Sequence, residues 1–220
     1  MDGIHDMGGT HGWGTVAVDP DEPVFAEDWH ARTFALSLAS MGASGTNLDA
    51  FRHALERLHP IDYLSDGYYG RWLSAAELLL VDSGVLAPGA VEARARRLAG
   101  EDVTEPAGTE VNKPSYQRGG PGSLRQIDDE PAFDTGQRVR ARELYKSGHT
   151  RMPAYVRGRT GTVEARRPAA VLPDSTAHFT GEDAQHVYTV RFESTELWGP
   201  DAEPSTLLID LFESYLEESQ

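Results

Sequence analysis

The chain has 220 residues, and its 20 Lys and Arg against 35 Asp and Glu give a formal net charge of −15. This acidity argues against binding to nucleic-acid phosphates, and a mean hydropathy of −0.46 without an apolar run near ~18 residues excludes a membrane-spanning helix. The absence of cysteine excludes disulfides, a thiol nucleophile and a thiolate metal site built from this chain alone.

Residues 1–24 are predicted to form an extended arm. Their many glycines oppose a helix, whereas Ile4, Trp13 and Val16 are apolar side chains that favour burial. The surface that covers Trp13 is either this chain's own domain or a partner chain. The segment lacks the basic start and the apolar stretch of a secretory signal, so we expect a cytoplasmic protein.

Residues 25–100 have a helical period and are predicted to form a small helical domain. Apolar residues recur at steps of three and four, Gly42 follows the first run as a helix-ending residue, and Thr46 or Asn47 is suited to cap the second. Pro60 is expected to stop that second helix. The four helices are predicted at residues 25–42, 47–59, 66–84 and 88–100.

Residues 101–135 are rich in Gly and Pro and are predicted to form a linker that wraps on the protein surface. From residue 136 onward the period becomes two, which is typical of half-buried strands. The five alternating segments begin at Arg138, Tyr155, Thr162, His186 and Leu207. Five short strands within residues 136–220 predict an SH3-like β-barrel domain, so the expected fold class is α+β.

A basic block, residues 136–167, has nine basic and two acidic residues. Such a block is either a nucleic-acid footprint or a set of cations that pair with acids of the same domain. The acidity of the whole chain favours pairing, because a negative protein repels phosphate at long range.

The sequence contains no self-sufficient active site. None of the eight histidines forms an H-E-x-x-H pair, and neither a G-x-S-x-G elbow nor a phosphate-binding P-loop is present. Arg52, beside Phe51 at the apolar edge of a helix, and Arg151, in a loop, are candidate functional cations, although an ion pair explains each of them by pattern alone. Tyr68 is a further candidate, although packing in the core with its hydroxyl at the rim explains it in the same way.

Seven segments, in the same order along the chain, resemble the β subunit of nitrile hydratase. They read MDGIHDMGGTHGWGTV, EPVFAEDWHARTFAL, LDAFRHALERLHPIDYL, GYYGRW, GHTRMPAYVRGRTGTVE, HVYTVRFESTELWG and IDLFESYLE. The resemblance therefore extends from the first residue almost to the last, with the linker as its main gap. The GHTRMPAY form favours the iron-containing branch of the family.

The resemblance implies a lyase that adds water to a nitrile to give an amide and is active only as a complex with an α subunit, as an αβ heterodimer or an α2β2 tetramer. The family's α subunit holds a non-haem Fe(III) or a non-corrin Co(III) through a C-x-x-C-S-C segment, two of whose cysteines are oxidised to sulfinate and sulfenate. The metal is therefore expected on the partner and not on this chain. The other expected partner is a small nitrile, and neither nucleic acid nor membrane is expected.

The resemblance also implies the site residues. Arg52 and Arg151 correspond to arginines against the partner's sulfur oxygens, where a planar, permanently charged guanidinium suits an anionic oxygen pair. Tyr68 corresponds to a hydroxyl that orients the substrate, and Glu56 and His149 to groups that support the arginines. The residues expected to line the substrate pocket are Ser37, Leu48, Phe51, Arg71 and Trp72.

Two positions depart from the family pattern. Ser37 stands where relatives can have a bulky aromatic residue, which is expected to widen the pocket. Arg71 stands where some relatives have His, which is expected to bring a positive charge to the pocket mouth. The preferred nitrile is therefore left open.

Three other functions compete with this one. Thiocyanate hydrolase has smaller subunits that resemble the two halves of this chain, which are fused here. A non-catalytic metallochaperone that activates such an enzyme resembles the helical half but lacks the barrel. A nucleic-acid-binding SH3-like module should be retained on heparin in a salt-sensitive way, and a net charge of −15 predicts no retention.

Overall fold

The computed structural model describes residues 3–10, 12–116 and 118–219. The chain divides into two compact units: one is Gly12–Ser115, and the other combines Met1–His11 with Tyr116–Gln220. The first contains the long helices and the second contains a β-sheet, so the α+β class is confirmed. Within the described ranges, no helix combines the length and the apolar character needed to cross a bilayer.

The helical unit is built around α4, against which α1 and α2 pack. Its core includes Phe51 and Ala54 from α2 together with Ala75 and Leu79 from α4. The side chain of Asn47 caps α2 by accepting a hydrogen bond from the backbone N–H of Ala50 at 2.8 Å. The helices of this unit are α1 (Asp28–Ser44), α2 (Leu48–Glu56), α3 (Pro60–Ser65), α4 (Gly67–Asp82) and α5 (Ala90–Leu98).

Two predicted helix ends differ from the structure. Helix α1 continues through Gly42 and closes at Gly45, whose φ of 71° is left-handed and whose N–H donates to the carbonyl of Met41. Glycine disfavours a helix interior by only ~1 kcal/mol, which the packing of a long helix offsets. Pro60 is the first residue of α3, because a proline at that position forfeits no helical hydrogen bond.

Helix α1 buries small polar residues and exposes large apolar ones. Its buried residues are Thr33, Ser37, Ser40 and Ser44, at steps of four, three and four. The three serine hydroxyls donate to backbone carbonyls three or four residues earlier, at 2.7–2.8 Å, so they are satisfied without partners from other helices. Trp29, Phe34, Leu36 and Leu38 remain 38–50% exposed. Such an apolar surface is typical of a protein–protein interface.

The sheet unit contains five antiparallel strands in the order β4-β3-β2-β1-β5. In the described sheet, β4 and β5 are the two edges, so the predicted closure into an SH3-like barrel is not confirmed. The core lies under alternate residues of β3, of which Tyr188, Val190 and Phe192 have no exposed surface. The elements are β1 (Arg138–Ala141), β2 (Thr160–Ala170), α6 (Pro173–Thr176), β3 (Gln185–Glu193), α7 (Ser194–Trp198), β4 (Thr206–Phe212) and β5 (Leu216–Glu218).

One predicted strand is wrong and one strand was missed. The segment at Tyr155 is a 3-10 turn, Ala154–Val156, because it follows Pro153 and the N–H of Ala154 donates to the side chain of Asp6 at 2.8 Å rather than to a neighbouring strand. The missed strand, β5, has only three residues, which is too short for alternation to be visible in the sequence.

Parts of the arm and of the linker lie on each unit. In the sheet unit, Gly9 has a φ of 73° and lies under Tyr155, where a Cβ would approach the ring to 3.2 Å. Arg125 of the linker forms an ion pair with Glu182 at 2.5 Å. In the helical unit, the N–H of Asn112 donates to the carbonyl of Ser83 at 2.9 Å. Trp13 stays 65% exposed within the chain, which favours a partner as the surface that covers it.

Acids of the sheet unit pair with several cations of the basic block. Arg140 lies 2.7 Å from Glu143 and 3.2 Å from Glu217, and Lys146 lies 2.6 Å from Asp174. These pairs favour the explanation that the block is neutralised within its own unit.

Candidate functional site

An aromatic cluster in the helical unit holds the predicted tyrosine. The ring of Trp72 lies edge-on to Phe51 with centroids 5.1 Å apart, and 5.5 Å from the ring of Tyr68. Phe51 is only 1% exposed, whereas Tyr68 is 63% exposed. The buried ring of Phe51 thus anchors the cluster, and Tyr68 presents its hydroxyl at the surface edge.

Arg52 follows Phe51 on α2. Its Nη1 donates to Asp49 Oδ1 at 3.0 Å, and its side chain is 40% exposed. Asp49 therefore orients the guanidinium of Arg52. Glu56 lies one turn further along the same face, where its Oε2 is 3.2 Å from His53 Nδ1.

The remaining predicted pocket residues of the helical unit lie in different environments. Leu48 is 47% exposed at the start of α2. The guanidinium of Arg71 stacks over the ring of Tyr63 at 4.2 Å, a cation–π contact that holds it against α3. Ser37 is fully buried and donates to the carbonyl of Thr33.

Arg151 lies in a loop of the sheet unit, residues 146–152, whose backbone is tightly held. Arg151 itself is exposed, but its neighbours His149, Thr150 and Met152 are at most 3% exposed. Buried neighbours on both sides fix the direction in which the arginine side chain leaves the loop.

Tyr215 anchors the centre of this loop. Its hydroxyl accepts hydrogen bonds from Thr150 Oγ1 at 3.0 Å and from the backbone N–H of Arg151 at 3.3 Å, and donates to Asp174 Oδ1. The other oxygen of Asp174 accepts from Lys146 Nζ at 2.6 Å. Burial, followed by the charge of Asp174, raises the pKa of Tyr215, so the hydroxyl stays protonated.

His178 provides a second anchor for the loop. The N–H of His149 donates to His178 Nε2 at 3.0 Å. Gly148 makes this approach possible, because a Cβ at that position would collide with the same imidazole nitrogen. His149 is 1% exposed, and its role in supporting the arginines, which the resemblance implies, stays a prediction.

The predicted site residues therefore fall into two groups. His149 and Arg151 lie in the sheet unit, and all the others lie in the helical unit with Tyr68. Sequence reasoning did not identify Tyr215, Asp174, His178 or Lys146. Tyr215 lies within the resembling segment IDLFESYLE, but no role was predicted for it, and no spacing in the sequence links it to the arginine loop.

Comparison with known proteins identifies one family over nearly the whole chain. The family model described as "Nitrile hydratase beta subunit, N-terminal" matches residues 1–118, and the model described as "Nitrile hydratase beta subunit, C-terminal" matches residues 122–218. A nitrile hydratase subunit beta from Pseudomonas putida is 42% identical over 99% of both chains. A low-molecular weight cobalt-containing nitrile hydratase subunit beta from Rhodococcus rhodochrous is 38% identical over 98% of this chain and 99% of its own length.

A more distant likeness is to a solved thiocyanate hydrolase from Thiobacillus thioparus. It is 29% identical, covers 41% of this chain and 78% of its own chain, and has a TM-score of 0.39.

Proposed function

Because the chain belongs to the family of nitrile hydratase β subunits, we propose that Arg52, Arg151 and Tyr68 form its contribution to the nitrile-hydrating active site of an αβ enzyme. The reaction adds water to a nitrile to give an amide. The observation that supports the proposal most strongly is that the two family matches together extend over residues 1–118 and 122–218.

The metal of this enzyme, Fe(III) or Co(III), is proposed to be bound by the α subunit. This chain has no cysteine, and its exposed Arg151 and half-buried Arg52 suit an anionic group on a partner. When bound, the metal supplies a Lewis acid that polarises its ligand. The names of two relatives specify cobalt, whereas the GHTRMPAY form favours iron, so the proposal includes both metals.

Arg52 and Arg151 are proposed to donate hydrogen bonds to the oxidised sulfur oxygens of the partner. A guanidinium donates two parallel bonds and keeps its charge at any physiological pH. Asp49 orients Arg52 at 3.0 Å, and the anchored loop orients Arg151. Oriented donors stabilise developing charge without reorganising during the reaction. Glu56 and His149 are proposed to support these positions.

Tyr68 is proposed to orient the nitrile by a hydrogen bond from its hydroxyl. Its ring is fixed by Tyr69 and Trp72, with centroids 5.1 and 5.5 Å away. Phe51, Trp72 and Leu48 are proposed to supply the apolar wall that excludes water around the substrate chain.

Ser37 and Arg71 are proposed to tune substrate choice. Ser37 is fully buried in α1, and because its side chain is small where relatives can have a bulky aromatic residue, we expect larger aromatic nitriles to be preferred. Arg71 is held by Tyr63 at 4.2 Å and favours substrates that have an acceptor or a negative charge.

The experiment that tests the proposal is co-expression of this chain with a cysteine-containing α subunit, followed by an assay of amide formation from acetonitrile and benzonitrile. The proposal predicts amide from the complex, with one metal per αβ pair, and none from either subunit alone. Stoichiometric metal on the isolated chain would contradict it.

The same assay distinguishes the competing functions. Faster hydrolysis of thiocyanate than hydration of any nitrile would favour a thiocyanate hydrolase. A complex that transfers metal but forms no amide would favour a metallochaperone. The match of the C-terminal family model to residues 122–218 argues against the metallochaperone, which lacks that half.

A further inference from the structure

The arginine loop, residues 146–152, is attached to the sheet unit by hydrogen bonds that meet at two groups. The Tyr215 hydroxyl bonds to Thr150 Oγ1 at 3.0 Å and to the Arg151 N–H at 3.3 Å. His178 Nε2 bonds to the His149 N–H at 3.0 Å. Three successive residues of the loop are therefore fixed from outside it.

The first anchor, the Tyr215 hydroxyl, is buried, and all of its hydrogen-bonding sites are occupied. A tyrosine hydroxyl has one donor and two acceptor sites, and Tyr215 uses the donor on Asp174 and the acceptors on Thr150 and Arg151. Tyr215 is 1% exposed, and the side chain of Asp174 is 6% exposed. If one of these hydrogen bonds is lost, water can replace it only when the core around Tyr215 opens.

The second anchor belongs to the same short stretch of chain as Asp174. Asp174 lies in α6, and His178 follows that helix by two residues. Lys146 at the beginning of the loop also pairs with Asp174, at 2.6 Å. One segment, residues 174–178, thus bonds to the loop directly at Lys146 and His149 and, through Tyr215, at Thr150 and Arg151.

We propose that Tyr215 and Asp174 are positioning residues that set the direction of Arg151 through the backbone of the loop. This inference rests on the proposed function of Arg151 and extends it to groups that do not touch the substrate. A loss of direction of a charge-stabilising donor lowers kcat more than it raises KM, because the donor acts mainly in the transition state.

The first test compares Tyr215→Phe with Tyr188→Phe in the αβ enzyme. Tyr188 is a matched control, because it is also buried in the sheet unit and donates to a carboxylate, that of Glu213 at 2.5 Å, but does not bond to the loop. We expect Tyr215→Phe to lower kcat roughly 10-fold or more with KM within about threefold, and Tyr188→Phe to leave kcat within about twofold. Equal effects of the two variants would overturn the inference.

A second pair of variants keeps the test decisive if Tyr215→Phe does not assemble. Thr150→Val removes the hydroxyl that bonds to Tyr215, whereas Thr150→Ser keeps it and removes a methyl group. Positioning through the hydrogen bond predicts low kcat in Thr150→Val and near-normal kcat in Thr150→Ser. Packing alone predicts the reverse order, which would contradict the inference.

A readout independent of turnover is amide hydrogen exchange of residues 149–152. Tyr215→Phe should speed exchange there by about 10-fold or more relative to the wild type at equal global stability, and Tyr188→Phe should not. Unchanged exchange in Tyr215→Phe would overturn the inference while leaving the proposed function intact. An αβ complex that forms no amide with wild-type sequence would refute the proposed function instead.

Discussion

Two arginines are proposed to contact an anionic group of the partner subunit. Arg52 is oriented by Asp49 at 3.0 Å, and Arg151 by a loop whose neighbouring side chains are buried. Guanidinium differs from ammonium in geometry rather than in charge, since it offers a planar fork to two oxygens. We therefore expect the proposed site to depend on the shape of these cations as well as on the sign of their charge.

Lysine should not replace either arginine. Arg52→Lys and Arg151→Lys keep the charge but lose the fork, so we expect turnover to fall by roughly one to three orders of magnitude. The measurement is kcat for a nitrile in the αβ enzyme.

Matched controls are Arg57→Lys and Arg191→Lys. Arg57 pairs with the exposed Asp82 and Arg191 with the exposed Glu193, outside both groups of site residues. These controls should keep kcat within about twofold, since exposed ion pairs contribute little. Near-normal turnover in both site variants would mean that Arg52 and Arg151 are only structural.

The carboxylate of Glu182, which pairs with Arg125 of the linker, should contribute to the stability of the fold at acidic pH. Two N–H groups of Arg125 donate to Glu182 at 2.5 and 2.6 Å, and this pairing lowers the pKa of Glu182 from 4.5 to about 2. Because the pKa is lower in the folded state, the stabilisation is complete above pH 4.5 and is lost as the pH falls from 4.5 towards 2.

In the variant Glu182→Gln, the free energy of unfolding should therefore fall less steeply with decreasing pH in this range. The measurement is the urea midpoint at several pH values from neutral down to about 2.5. Glu203→Gln, which removes an exposed carboxylate, is the control and should keep the wild-type slope. A wild-type slope in Glu182→Gln would show that this pair does not contribute to acid unfolding.

Among the elements, helix α1 has one face that is buried and one that is exposed. Its small polar stripe packs inside the helical unit, while its large apolar residues stay exposed. An extra ring at Ser37 has to displace neighbours, and such overpacking typically costs ~1–3 kcal/mol. Substrate preference and stability therefore need separate measurements at this position.

We expect Ser37→Phe to reverse the substrate order. Ring burial is worth about 2 kcal/mol, or about 30-fold, so aromatic nitriles should have the higher kcat/KM in the wild type and should lose that advantage in the variant. The ratio of the two kcat/KM values is the proper measurement, because it does not depend on how much enzyme is folded.

Ala39→Phe is the control for this experiment, because Ala39 is a small, exposed residue of the same helix, two positions after Ser37. It adds the same ring outside the packed face of α1 and should leave the ratio unchanged. If Ser37→Phe lowers the stability but leaves the ratio of the two kcat/KM values unchanged, Ser37 contributes to helix packing and not to substrate choice.

Two glycines, one inside α1 and one at its end, should respond in opposite ways to alanine. Gly42 lies inside the helix with no neighbouring atom within 4 Å of an added Cβ, so Gly42→Ala should raise the free energy of unfolding by about 0.5–1 kcal/mol. Gly45 has a φ of 71° and an added Cβ would lie 3.1 Å from Lys113, so Gly45→Ala should lower it by about 1 kcal/mol. Urea unfolding of the two variants decides this, and equal signs would contradict the helix ends described above.

At the scale of the whole molecule, the sequence predicted what depends on local periodicity. The α+β class and most of the strands follow from spacing and are confirmed, and of the two predicted caps of α2, Thr46 or Asn47, the structure has Asn47. The helix end at Gly42 and the strand at Tyr155 were wrong, because tertiary packing and the bond from Ala154 to Asp6 override local preference. The anchors of Arg151 were invisible, because Tyr215 is 64 residues away in the sequence.

We propose that this chain supplies an essential part of an active site that it shares with the α subunit. The most direct test is titration of the purified chain into a fixed amount of metal-loaded α subunit, with amide formation from a nitrile as the readout. We predict that the α subunit alone forms essentially no amide and that the rate rises linearly with added chain to a plateau at one equivalent. Full turnover by the α subunit alone, or by this chain alone with added metal, would contradict the claim.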